Sequence, residues 1–165
     1  MLGCPILNIY NRKECDRTVS LNRLLNMPAK DIFHDAVRIG LEKQNWVITQ
    51  DPLHLKLSPK VEMYIDLAAE KLLSAEKEGR KIAVEVKSFL GLSAISEFHT
   101  AIGQFLNYRV ALNKLEPERV LYLAIPTDIY NQFFSESFIQ EVIREYHIKL
   151  IIFDSQREEI ALWKN

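Results

Sequence analysis

The sequence predicts one α/β domain with a mixed central sheet flanked by helices. Three observations carry this expectation. Helical and strand patterns alternate along the chain. Two short runs, Val120 to Pro126 and Ile148 to Phe153, are nearly all apolar, as strands covered on both faces are. A period-two strand over Lys81 to Phe89 is followed directly by a long segment of helical period.

The chain's bulk properties agree. Its 165 residues give room for one domain with a proper core. Apolar residues make up 48% and charged residues 26%, ordinary values for a folded domain that works in water. The longest apolar runs have strand length and fall short of the roughly 18 residues a membrane helix needs. The net charge of −1 leaves no excess of Lys and Arg to grip nucleic acid without regard to sequence, although a local basic groove remains open. Both cysteines, Cys4 and Cys15, lie near the N-terminus with no zinc spacing. They read as incidental thiols in a reducing cytosol. The start of the chain lacks the basic-then-apolar order of a signal peptide, so a cytoplasmic location is expected.

Residues 1–26 differ from the rest. They hold Asn8, Asn11, Asn22 and Asn26, both cysteines, and no sustained period. They read as a loosely ordered extension upstream of a start at Met27, or as an arm that docks on the domain. Without them Lys+Arg falls from 21 to 17 and Asp+Glu from 22 to 20, which leaves −3 over 27–165.

From Pro28 a helix is well marked, with Asp31 and Asp35 near its positive end and Ile32, Ala36, Val37, Ile39 and Leu41 along an apolar stripe. It should end near Lys43 to Asn45. Trp46 to Thr49 reads as a strand stopped by Asp51-Pro52, and Leu53 to Leu57 as a second short one. Met63 to Leu67 is a third. Ala68 to Lys77 has helical composition, with one arm of a long hairpin as the other reading. In the strand 81–89, Ile82, Val84, Val86 and Ser88 share one face, and Ala83, Glu85, Lys87 and Phe89 the other. Ser93 then starts a helix to about Leu115, with Ser93 and Ser96 as candidate caps and Ile95, Phe98, Ile102, Phe105, Leu106 and Val110 as its apolar stripe. Beyond the strand Arg119 to Pro126 come a helical turn in Thr127 to Phe134, a helix Ser137 to Tyr146, the strand Ile148 to Phe153, and an edge strand Glu159 to Trp163.

Glu85 and Lys87 carry the chemistry. Two residues apart on a strand, they face the same way at roughly 6–7 Å. Such a pair is common on solvated sheet faces, where it adds modest stability. Here the strand's apolar flanks place it centrally, and Asp66 ends a neighbouring strand. Two adjacent carboxylates repel unless a proton or cation joins them. A hard cation such as Mg²⁺ suits oxygen ligands. It would polarise a phosphodiester oxygen, with Lys87 offsetting charge on the phosphorane. Gln104 and Tyr108 stand one turn apart on the following helix.

The pattern Asp66, then Glu85-Val86-Lys87, then Gln104-x-x-x-Tyr108 resembles the PD-(D/E)XK restriction-endonuclease-like superfamily, and its RecB-like branch in particular. More narrowly, MPAKDIFHDAV, NWVITQDPL, IDLAAEKLLSAEKEGRKIAVEVKSF and QFLNYRVAL are similar to the XisH family, the fdxN element excision controlling factors of cyanobacteria. The resemblance covers 27–165. It implies a restriction-endonuclease-like fold and a role in site-specific excision of a DNA element during heterocyst formation, beside a recombinase and a companion protein, XisI. The superfamily implies Mg²⁺- or Mn²⁺-dependent cleavage of DNA. Asp66 and Glu85 would be metal ligands, Lys87 the catalytic cation, and Gln104 and Tyr108 supporting residues. Many superfamily members carry a glutamate on the first helix; here that stretch offers His34 and Asp35. The Asp66-to-Glu85 interval is also longer than usual. A non-catalytic module that keeps the fold and holds XisI or a recombinase is the alternative. A homodimer would suit the two strands of a duplex.

Other residues point elsewhere less strongly. His34 reads first as a solvated or satisfied helix histidine, and His54, His99 and His147 are scattered without zinc spacing. Ser88, Ser93 and Ser96 lack a nucleophile elbow, and the five glycines form no phosphate loop. Trp46, Phe98, Phe105, Phe133 and Phe134 fit core positions better than base-stacking platforms.

Overall fold

A computed structural model of the chain describes residues 33–71 and 79–165. The expected extension 1–26 and the expected helix start at Pro28 lie outside the described residues. Six strands form the central sheet: β1 (Val47–Gln50), β4 (Leu67–Lys71), β5 (Arg80–Val86), β6 (Arg119–Pro126), β7 (Leu150–Asp154) and β8 (Glu159–Lys164), in the order β1-β4-β5-β6-β7-β8. The pairs β5–β6 and β6–β7 are parallel and the other three are antiparallel. The predicted mixed sheet is therefore present. A separate antiparallel hairpin joins β2 (Leu53–Ser58) to β3 (Val61–Ile65).

Three helices flank the sheet: α1 (His34–Lys43), α2 (Ala94–Leu115) and α3 (Ser137–Glu145). Strand alternation divides the core in two. Ala68, Ala83, Leu121, Leu123 and Ile152 turn to one face, where α2, α3 and the β2–β3 hairpin bury them. Leu67, Ile82, Val84, Tyr122, Ala124 and Ile151 turn to the other, with α1 and Trp46. The α1 contact is close. A Cβ built on Gly40 would stand 3.1 Å from Ile160 Cδ1 and 3.2 Å from its backbone nitrogen, so only glycine fits without a shift.

The helix predicted for Ala68 to Lys77 is corrected over its described part. Leu67–Lys71 is β4, held between β1 and β5 with the register Leu67↔Val84 to Lys71↔Arg80. Helix propensity separates these residue types by only tenths of a kcal/mol each. Against this, Leu67, Ala68 and Ala69 are fully buried between two neighbouring strands. Residues 72–78 lie outside the described residues.

Helix α2 starts as expected. The Ser93 side chain accepts a hydrogen bond from the Ser96 backbone, and Glu97 accepts one from the Gly91 N–H at 3.0 Å. Its buried stripe is Phe98, Ala101, Ile102, Phe105 and Leu112. Two expected members fall out: Ile95 is 40% and Val110 58% exposed. At 3.6 residues per turn Val110 stands about 120° around the helix from Phe98. Ile95 occupies the first turn, and periodicity does not tell how far along a helix its neighbours extend. The segment after β6 is a short helical turn, Thr127–Ile129, running into a π-helical turn, Tyr130–Phe134, that buries Phe134 against Phe89 and Phe98.

Arg119 bolts three strands together. Its buried guanidinium, at the start of β6, donates to the Ile82 carbonyl of β5 at 2.9 Å and reaches Glu70 of β4 at 3.2 Å, with Glu116 at 2.7 Å.

Burial on α2 separates two substitutions. Phe98→Ala should cost about 3–5 kcal/mol of unfolding free energy, and Val110→Ala less than about 0.5 kcal/mol. Urea unfolding of both proteins measures the difference, and similar losses would contradict the helix orientation described.

Candidate metal and phosphodiester site

The centre forms where the β2–β3 hairpin hands the chain to the main sheet. β3 ends at Ile65, the chain bends at Asp66, and β4 begins at Leu67. Asp66 thus stands one step beyond the Leu67↔Val84 pair, opposite Glu85. Cross-strand hydrogen bonds join the two stretches. The Val86 N–H donates to Asp66 Oδ2 at 2.8 Å, and the Asp66 N–H donates to the Glu85 carboxyl.

Glu85 is 4% exposed, the one acidic residue in the buried class among the described residues. Its place on β5, shared in parity with Ala83, turns it to the α2 face. Lys87, just past β5, points Nζ back to Glu85 Oε1 at 2.8 Å and keeps 27% of its side chain exposed. The Lys87 backbone continues the parallel ladder, its N–H donating to Ala124 O at 3.0 Å. Burial first, and then the charge of Asp66, push the Glu85 carboxyl up to about 7; Lys87 pulls the other way without cancelling them.

Helix α2 roofs the pair. Burial, followed by the charges of Glu85 and Asp66, raises the Tyr108 hydroxyl well above its ordinary value, so the phenol stays protonated beside the carboxylates. Gln104, one turn earlier, has a buried Oε1 with no hydrogen-bond partner. A small pocket bordered by Lys87, Ser88, Ser96, Glu97 and Thr100 opens beside the lysine.

The structure thus brings together Asp66, Glu85 and Lys87, with Tyr108 near them. His34 and Asp35 have a different setting. His34 is 2% exposed, so it is a buried histidine rather than a solvated one. Its Nε2 lies 3.0 Å from Asp51 Oδ1 and its Nδ1 3.2 Å from Asp35 Oδ1. Asp35 itself is 79% exposed, and Arg38 reaches Asp51 at 3.6 Å. In the sequence Asp51 reads only as a strand stop before Pro52. It follows Gln50, the register partner of Ala68, and so lies at the Asp66 end of the sheet. Its only signal in the sequence was an acidic residue before proline. Among the described residues, no three or more His, Cys, Asp and Glu side chains form a ready cluster of metal ligands.

A mixed α/β domain with two facing carboxylates and a lysine at the end of a central strand defines the class of protein. The model of the XisH family matches residues 27–161. This chain belongs to the XisH family. It is similar to the crystal structure of an XisH family protein from Nostoc punctiforme, at 51% identity and a TM-score of 0.73, over 82% of this chain and 100% of that one. It is likewise similar to an fdxN element excision controlling factor protein from Anabaena variabilis, at 49% identity and a TM-score of 0.73, over the same shares of the two chains. No curated protein matches the chain.

The raised Glu85 carboxyl has a consequence for stability. An unfolded glutamate titrates near 4.5 and the folded one at about 7, so the folded protein holds more protons between those values. This contribution to stability is fully present below the lower value and is lost as pH rises through the higher one. Glu85→Gln removes it. The stability of the glutamine protein relative to wild type should therefore rise from pH about 4.5 to about 8, by at most ~3 kcal/mol. Urea unfolding at stepped pH measures this. A difference that stays flat would show a carboxylate ionised throughout and compensated by Lys87.

Proposed function

We propose that the chain acts in the controlled, site-specific excision of a DNA element, and that Asp66, Glu85 and Lys87 form a Mg²⁺- or Mn²⁺-dependent phosphodiester site of the PD-(D/E)XK kind. The observation that carries the reading is the Asp66 carboxylate, held by the Val86 N–H, beside the buried Glu85 carboxyl with Lys87 at 2.8 Å from Glu85. A buried carboxyl beside a second one calls for a proton or a cation, and both are hard oxygen donors. The orphaned Gln104 Oε1 marks unfilled polar bonding capacity on the helix above. These residues fit a divalent ion.

Asp66 and Glu85 would hold the ion, which when bound supplies Lewis-acid polarisation of a phosphodiester oxygen. The protein's own groups do the rest. Glu85 would have to be ionised to hold it, giving up its proton to solvent. Lys87, partly exposed, can leave Glu85 and place its ammonium against charge developing on the phosphorane. Tyr108 stays protonated and so donates, never accepts a proton, near neutral pH. Gln104 offers an acceptor to the substrate or to its water. His34, fixed by Asp51, and Asp35 border the same end of the sheet as supporting groups. DNA is the partner in this reading, with a site-specific recombinase and an XisI-like companion protein completing the assembly. The Anabaena variabilis relative's description as an excision controlling factor supports the biological role.

A second reading has its own support. Lys87 already occupies Glu85, and the net charge of −1 gives no general pull on DNA. The fold would then serve as a non-catalytic module that binds XisI or the recombinase.

Calorimetric titration of Mg²⁺ and Mn²⁺ into wild type, Glu85→Ala and Lys87→Ala separates the two. The expected result is saturable binding to wild type and to Lys87→Ala and none to Glu85→Ala. Cleavage of supercoiled and branched DNA should fall about 10²–10³-fold in Lys87→Ala. Equal heats from wild type and Glu85→Ala, together with a stable complex with the companion protein and no cleavage, would establish the binding-module reading instead.

A further inference from the structure

The opposite face of the sheet carries a cavity of about 860 Å³. Ile82 of β5 lines it and turns to the α1 side, whereas Glu85 turns to the α2 side. The two positions are three residues apart on one strand, roughly 10 Å, so the cavity is distinct from the carboxylate pair.

Both tryptophans of the chain border this cavity. Trp46 and Trp163 stack with ring centres 5.7 Å apart and 29° between planes. Tyr122 meets Trp163 edge-on at 5.0 Å. The Trp163 N–H donates to Gln44 Oε1 at 3.0 Å, which fixes the ring. Trp46 is buried, Trp163 is half-buried, and Val120 beside them is 38% exposed. The result is a rigid apolar floor that remains open.

The rim is cationic. Arg80, Lys81 and Lys149 border the floor together with Glu118 and Asn165. Glu118 is engaged by Lys81 at 3.2 Å. Burial raises the Tyr122 hydroxyl above its ordinary value, and the charge of Arg80 opposes that shift. Among the described residues neither Arg80 nor Lys149 makes an ion pair. Two cations with no ion pair among the described residues, beside an aromatic floor, favour a ligand that is flat and apolar at one end and anionic at the other.

We propose that this cavity binds a nucleotide, with the base against Trp163, Tyr122 and Val120 and the phosphate between Arg80 and Lys149. Base–aromatic stacking tolerates any base, and guanidinium and ammonium donors match phosphate oxygens. The volume lies within the range of small-molecule sites and admits a mononucleotide. The nucleotide can come from the free pool or from a single strand of DNA. The inference is independent of the phosphodiester reading, since it uses the other face of the sheet.

The two tryptophans make intrinsic fluorescence a direct reporter. Titration of the full chain with deoxyadenosine monophosphate should give saturable quenching, and adenosine at least about tenfold weaker binding. Arg80→Gln and Lys149→Gln, both at the open rim, should together weaken the monophosphate by about tenfold or more, with an unchanged urea midpoint. A single-stranded thymidine oligonucleotide with a 5′ phosphate separates the sources. Tighter binding than the monophosphate assigns a DNA strand, and equal or weaker binding assigns a free nucleotide. Absent quenching by both ligands, or quenching indifferent to the two substitutions, overturns the proposal.

Discussion

The bend at Asp66 is the constraint on which the rest depends. It ends the β2–β3 hairpin, begins the second strand of the main sheet, and places its carboxylate against the Val86 N–H. Because the Asp66 N–H is in turn bonded to the Glu85 carboxyl, two acidic side chains are locked beside each other by the backbone itself. Like charges at such a distance repel. The antiparallel ladder from Leu67↔Val84 to Lys71↔Arg80 and the parallel one from Lys81↔Arg119 to Val86↔Ala124 hold β5 in place despite that repulsion. Arg119, tied to β4 and β5 from the start of β6, pins the far end of the same strands.

Burial then does chemical work. An exposed Glu-x-Lys pair would be a modest surface contact. Here Glu85 is nearly inaccessible, its lysine is only partly so, and Tyr108 feels both carboxylates. A proton on Glu85 is one answer to the repulsion between the two carboxyls, and it links the pH dependence of stability to this pair. His34 extends the polar end of the sheet, its buried imidazole standing between the carboxylates of Asp35 and Asp51.

The two faces of the sheet have different characters. On one, α2 covers acidic groups and leaves a lysine at the opening. On the other, α1 leaves an aromatic floor beneath Arg80 and Lys149 open. A net charge near zero thus coexists with a local cluster of cations at the cavity rim.

Much was legible in the sequence because it depends on neighbours along the chain. The apolar runs at 120–126 and 148–153, the Ser93 cap, and the alternation that turns Glu85 and Lys87 one way are local patterns, and the structure repeats them. The family was legible too, from long motif strings. The sequence did not decide between helix and hairpin for Leu67–Lys71, because weak propensity yields to pairing on both sides. Nor did it reveal Asp51 as the partner of His34, or Trp46 and Trp163 as one stacked pair. Those contacts join residues far apart in the chain, and only the closing of the sheet brings them together.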